Sequence, residues 1–177
     1  MSRTVTARPV TLVEPGTVRL ERLLPGPLER LWAYITESDK RAKWLAAGEF
    51  DLRVGGKARL QFDNEKLPNE GGVPAEYAGR GKHAFEGVIT RLEINRLLVH
   101  TWPWNGTDTE ITYELTPRGK DVLLTVVHRR LTKELVNAVM GGWDTHTGIL
   151  EDILKGTAPR PFWKTHAKLE KEYSASL

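Results

Sequence analysis

Apolar side chains recur along this chain with two different periods, and the switches between them divide it into elements. An opening stretch, 1–16, has no helical period and is read as an extended arm with an edge strand at 10–13. Residues 17–24, TVRLERLL, alternate apolar and polar in the manner of a half-buried strand. Pro25, Gly26 and Pro27 stop it. Leu28, Leu31, Trp32 and Ile35 then fall at helical spacing, with Pro27 suited to the first turn. SDKRAKWL is expected as a second short helix, with Ser38 as its N-cap and Trp44 near its end.

From residue 50 the period shortens to two. Phe50, Leu52 and Val54 alternate ahead of Gly55 and Gly56, and Ala58, Leu60 and Phe62 resume the alternation, which is the pattern of a hairpin. Residues 64–82 break every period with glycines and prolines and are read as a long loop. Further alternating runs follow at 83–94, 97–104, 109–117 and 121–131. Their connectors are short and of turn type, so consecutive antiparallel neighbours are the economical arrangement. Thr132 is placed to cap a helix that runs to Lys155 and ends at Gly156. A short docked helix is expected in the tail, 157–177.

The order of strand, two short helices, a meander of about six strands and a long helix predicts an α+β domain over 17–156. Its six to seven antiparallel strands form a curved sheet wrapped around the long C-terminal helix. Such a helix buries its apolar stripe across the concave face, and the gap left between them is where a small-molecule cavity forms.

Composition narrows the function. The 177 residues carry 26 basic and 23 acidic side chains, a net charge of +3, and the two signs are interspersed, so no nucleic-acid partner is expected. The absence of cysteine excludes disulfides, thiolate metal sites and cysteine nucleophiles. Neither a signal peptide nor a run of roughly 20 apolar residues is present, which sets a cytoplasmic expectation without a membrane span. Serine occurs only at 2, 38, 174 and 176, outside any nucleophile motif. No two histidines lie at i, i+4, and no phosphate-cradling loop is found, so neither metal nor cofactor is expected.

The stretches RLLPGPLERLWAYITESDKRAKWL and FDLRVGGKARLQF, then FEGVITRLEINRLLVHTW, TYELTPRGKDVLLTVVHRRL and the Gly-Gly-Trp of the last helix, occur in an order that resembles START-like (SRPBCC) domains. The branch they resemble is named after activators of the 90-kDa heat-shock chaperone ATPase, over roughly 17–156. That resemblance implies a helix-grip fold with a deep apolar cavity. The wider superfamily includes lipid carriers, hormone receptors, polyketide cyclases and aromatases. The loop at 64–82 and the tail depart from the usual pattern as an insertion and an extension.

On a helical wheel, Val136, Val139, Met140, Trp143, Leu150, Ile153 and Leu154 fall within an arc of about 140°, and His146 and Thr147 fall inside it. Thr145, Asp152 and Lys155 point away. His146 is therefore either a hydrogen-bonded core histidine or one presented to a cavity. His128 shares a strand face with Val122, Leu124 and Val126, and His100 shares one with Leu98 and Trp102, so either is able to reach a ligand, while the family resemblance implies a structural role for His128. Glu86 is expected to be exposed. Of the six tryptophans, Trp44, Trp102 and Trp143 are expected nearer the cavity than Trp163. The expected ligand-contacting set adds Phe62, Phe85 and Tyr113 from the sheet to Trp44, His100, Trp102 and His128. From the helix it takes Met140, Trp143, His146, Thr147 and Leu150.

Three functions compete. The first is binding of a small hydrophobic or aromatic ligand, with His146, Thr147 and His100 orienting its polar end. The second is a cyclase, aromatase or lyase using the same cavity. The third, suggested by the branch name, is regulation of a chaperone ATPase, which is disfavoured because eukaryotic activators carry an additional partner-binding domain that is not expected here. A homodimer is left open.

Overall fold

The alternating runs come together in one antiparallel sheet of seven strands. The computed structural model describes residues 8–69, 72–79, 81–104 and 106–176. β1 (Val10–Glu14) and β2 (Thr17–Pro25) form a hairpin, and α1 (Leu28–Thr36) and α2 (Ser38–Arg41) lead to the far edge. There β3 (Lys57–Asp63) begins a meander through β4 (Lys82–Glu93), β5 (Leu97–Trp104), β6 (Thr107–Arg118) and β7 (Asp121–Arg129). The order across the sheet is β1-β2-β7-β6-β5-β4-β3, so β7 closes against β2. The long helix α3 (Lys133–Lys155) and a further helix α4 (Phe162–Ser176) complete the fold. Among the described residues no helix is long and apolar enough to cross a membrane.

Period-two alternation fixes which side chains meet the helices. Ala58, Leu60 and Phe62 of β3, Ile111, Tyr113 and Leu115 of β6, and Val122, Leu124, Val126 and His128 of β7 are all buried. The register pairs Ile111 with His128 and with His100, and Tyr113 with Val126, so the two histidines flank one inward row. A bulge between Ile89 and Arg91 interrupts the β4–β5 ladder, where extra twist bends the sheet. Gly87 lies beside it. A Cβ there would collide with the Thr101 carbonyl, so glycine is required for the two strands to approach.

Several expectations are corrected. The run 50–54 is not a strand: Leu52 is 42% and Val54 63% exposed, and only Phe50 bridges to Ala58. Gly55 and Gly56 instead bond to the backbone of Ile89, which draws this arm off the ladder. Helix α2 is a single turn, and Ser38 lies inside it, with its Oγ accepting from the Gly48 N–H at 2.8 Å rather than capping the helix. Trp44 follows in a turn.

The tail is not a short appendage but the 15-residue helix α4, and it changes the environment of α3. Thr145, placed on the outer side by the wheel, is fully buried, as is most of the middle of α3. Gly141 explains how: a Cβ there would lie 3.3 Å from the Glu170 backbone nitrogen, so the glycine admits α4 rather than the sheet. Asp144, buried between the helices and β2, accepts from Arg22 Nη2 and from the Tyr173 hydroxyl, both at 2.7 Å. One carboxylate thus ties β2, α3 and α4 together. Gly156, with φ 72°, ends α3 as expected, its N–H returning to Asp152 and Ile153.

Candidate functional site

Where α3 crosses toward the β3–β5 side, a pocket of about 260 Å³ opens between the sheet, α3 and the first turn of α4. Phe62, Trp102 and Trp104 wall it from the sheet, and Val139, Gly142, Trp143 and His146 from α3. Phe162, Trp163 and His166 of α4 supply a third wall, and Asn64, Tyr77 and His83 come from the loop and the start of β4. Leu45 and Ala138 fill the remaining positions. No Asp, Glu, Lys or Arg is among these lining residues.

Along one side the rings form a ladder in which histidine and phenylalanine alternate. His83 stacks on Phe62 at 4.8 Å, Phe62 meets His146 edge-on at 6.1 Å, His146 meets Phe162 at 4.9 Å, and Phe162 stacks on His166 at 5.6 Å. Desolvation lowers the pKa of His83 and of His166, the latter opposed by Glu170, whose Oε2 lies 3.5 Å from its Nε2.

The proton on His146 follows from its partner. Nδ1 stands 2.7 Å from the Trp44 carbonyl oxygen, which can only accept, so Nδ1 is the protonated nitrogen. Nε2 is then a bare lone pair on a pocket-lining ring, with no hydrogen-bond partner among the described residues. Burial lowers the pKa of His146 to about 4 despite the Trp44 bond, so the ring is neutral at pH 7.

The other two buried histidines are fully used within the fold. The Trp143 indole N–H donates to His128 Nδ1 at 3.2 Å, which leaves His128 Nε2 to donate to Thr109 Oγ1 at 2.8 Å. Thr109 passes its own proton to the Trp102 carbonyl at 2.6 Å. His100 donates from Nδ1 to the Thr101 carbonyl at 2.9 Å, and its Nε2 accepts from the Tyr113 hydroxyl at 3.3 Å. Burial holds His100 to a pKa of about 4 and His128 to about 3. Neither ring has a nitrogen to offer a ligand.

Of the twelve residues singled out from the sequence, Phe62, Trp102, Trp143 and His146 line the pocket. Phe85 stands just behind it, in ring contact with Phe62 and Trp102. Trp44 is fully buried with its indole N–H on the Tyr34 carbonyl, and reaches the pocket only through its own carbonyl on His146. His100, Tyr113, His128 and Leu150 lie in the closed core. Thr147 spends its hydroxyl on Trp143 O and Arg22 Nε, and Met140 faces a different groove beside β1 and Tyr173. Glu86 is exposed and paired with Lys57 and Arg59.

The α4 wall was missed. Trp163 lines the pocket and Trp44 does not, reversing the expected order. The signal was present: Phe162, His166, Leu169 and Tyr173 repeat at spacings of four, three and four, an amphipathic helix within a charged tail. Four polar atoms on lining residues are buried and unpaired among the described residues, one of them Nδ1 of His166. The others are Nε1 of Trp102 (4% exposed), Nε1 of Trp163 (5%) and Oδ1 of Asn64 (8%). Unpaired donors in an aromatic wall are expensive unless something fills them. No group of three or more His, Asp or Glu able to hold a metal ion occurs among the described residues.

Residues 25–155, from the end of β2 to the end of α3, match the family described as activator of Hsp90 ATPase homolog 1-like protein. The chain belongs to this family. The solution NMR structure of the protein encoded by gene BPP1335 from Bordetella parapertussis is similar over 100% of this chain and 96% of that one, with 34% identity and a TM-score of 0.79. The crystal structure of CalU16 from Micromonospora echinospora shares the fold at 21% identity and TM-score 0.67, covering 90% of this chain and 86% of that one. CV1439 from Chromobacterium violaceum does so at 24% and 0.64, covering 80% and 99%. No curated protein matches. In this family member the matched span ends at Lys155, so α4, which supplies a wall of the pocket, lies beyond it.

Proposed function

We propose that the protein binds a small, uncharged aromatic molecule in this pocket, with a hydroxyl or N–H of the ligand donating to His146 Nε2. One observation carries the reading: Nδ1 is committed to the Trp44 carbonyl, which leaves the Nε2 lone pair on a fixed ring that lines a largely aromatic and apolar pocket. Family membership supports it.

An imidazole nitrogen without a partner among the described residues, on a pocket-lining ring, also fits a second reading, proton transfer to or from a bound substrate. Magnitude favours binding. An imidazole whose conjugate acid has a pKa of about 4 is a weak base at pH 7, whereas its lone pair still accepts a hydrogen bond.

The test compares 2-naphthol with naphthalene by calorimetric titration of the wild type and of His146→Phe. The phenylalanine keeps the ring contacts and removes Nε2. Wild type is expected to prefer 2-naphthol by about tenfold, the scale of one well-placed hydrogen bond, and the variant to lose that preference. Equal affinity for both compounds in the wild type rules the reading out. Mass spectrometry of the native protein purified from its own source then reports the resident molecule.

A further inference from the structure

We infer that the segment 157–176, beyond the span matched to the family, is a fixed cap that limits the ligand to about two fused aromatic rings without charge. The inference rests on the small-molecule reading above and specifies which molecules that site accepts.

The cap is part of the pocket. Phe162, Trp163 and His166 form one of its walls, and the loop ahead of β4 meets them there. The Phe162 N–H donates to the Pro68 carbonyl at 2.6 Å, and Trp163 stacks on Tyr77 at 4.9 Å. Replacing either large ring by a small side chain opens the pocket outward.

The cap is also held along its length. Before α4, Arg160 Nε bonds Asp152 at 2.8 Å while its guanidinium lies over Gly148. In the middle, Gly141 lets the backbone of Glu170 come within contact distance. Near the end, the Tyr173 hydroxyl reaches the buried Asp144 at 2.7 Å. Swinging α4 aside to admit a larger ligand breaks all of these together. The pocket stays partly open at its mouth, but its walls are fixed, so the space between them is what a ligand can fill.

That volume, about 260 Å³, decides the ligand's size. An apolar cavity of roughly 150 Å³ takes up benzene, and pockets for drug-sized ligands begin at roughly 300 Å³. Two fused rings fall between these limits, and four do not. Charge is excluded by the same lining. With no Asp, Glu, Lys or Arg among its lining residues, a carboxylate entering the pocket loses its hydration without a permanent counter-ion.

The test uses three probes on the full chain: 2-naphthol, 1-hydroxypyrene and 2-naphthoate, followed by calorimetry or probe fluorescence anisotropy. Wild type is expected to bind 2-naphthol at least about tenfold more tightly than either of the others, the scale of discrimination an apolar pocket with fixed walls gives against a misfit. Trp163→Ala and Phe162→Ala are expected to narrow the gap between 2-naphthol and 1-hydroxypyrene by about tenfold. Trp163→Leu, which keeps apolar bulk against Tyr77, narrows it in the same direction, and Lys164→Ala, exposed on the outer face, leaves it unchanged. Circular dichroism of each variant establishes that it is folded. Tight binding of 1-hydroxypyrene by the wild type, or an unaltered gap in all three cap variants, overturns the cap. Equal binding of 2-naphthoate and 2-naphthol overturns the charge limit. Failure of every probe on every protein overturns the small-molecule reading instead.

Discussion

Trp143 and His128 are joined across the helix–sheet interface by a single hydrogen bond, indole N–H to Nδ1 at 3.2 Å, and that bond decides the tautomer of the histidine. Trp143→Phe preserves the ring but leaves His128 Nδ1 buried without a donor, and is expected to destabilise the fold by ~1–3 kcal/mol. Urea unfolding followed by circular dichroism measures this, and an unchanged midpoint refutes it.

Tyr173 and Asp144 provide a separate handle on α4. Removing the hydroxyl in Tyr173→Phe takes away a hydrogen bond to a buried carboxylate, for an expected loss of roughly 1.5–3 kcal/mol. Hydrogen exchange should rise in α4 before it rises in the sheet, since β2 and α3 keep Arg22 as their link to Asp144. Uniform acceleration throughout the chain contradicts this assignment.

The adjacent glycines of α3 are expected to behave oppositely. Gly142 faces the pocket with nothing within 4 Å of an added Cβ, so Gly142→Ala gains helix propensity and stabilises by ~0.5–1 kcal/mol. Gly141→Ala brings a methyl 3.3 Å from the backbone of α4, which cannot give way alone, and the gain is expected to vanish or reverse. Thermal unfolding midpoints of the two variants test the contrast. The Gly142 variant should also bind 2-naphthol less tightly.

Acid should weaken the fold through its buried imidazoles. Burial holds His100 and His146 to about 4 and His128 to about 3, below the ~6.5 of a solvated imidazole, so the unfolded chain takes up these protons first. Their contribution is complete above about pH 6.5 and is lost as pH falls toward 4, by up to ~1.4 kcal/mol per pH unit for each ring. Urea midpoints are expected to fall between pH 7 and 4.5, and to fall less steeply in His100→Gln. Equal slopes for the two proteins would show that His100 is not among the groups responsible.

The parts of this structure legible in the sequence are those governed by local periodicity. Alternation located β2 and β4 to β7, turn residues gave the meander, and Thr132 and Gly156 bounded α3. The Phe50–Val54 arm shows the limit, because its alternation is intact and only the bonds from Gly55 and Gly56 to Ile89 prevent a strand. The site was harder to see for a related reason. A wheel assigns α3 one buried face, but α4 covers a second, so Thr145 and Asp144 are buried where one partner would have left them wet. His146 was found because a polar group on an apolar arc stands out. His83 and His166 were not, because each lies in a polar stretch and gains its meaning only from Phe62 and Phe162 beside it.

The bond from His146 to the Trp44 carbonyl spans 102 positions of the chain, and the contact of Trp163 with Asn69 spans 94. A pocket closed by contacts of such separation belongs to the high-contact-order part of the fold, whose loop-closure entropy is met only after the sheet has assembled. Partly folded chains then lack the site altogether. A ligand bound as proposed would recognise the native state alone and draw the folding equilibrium toward it by mass action, so occupancy of this pocket would report complete folding.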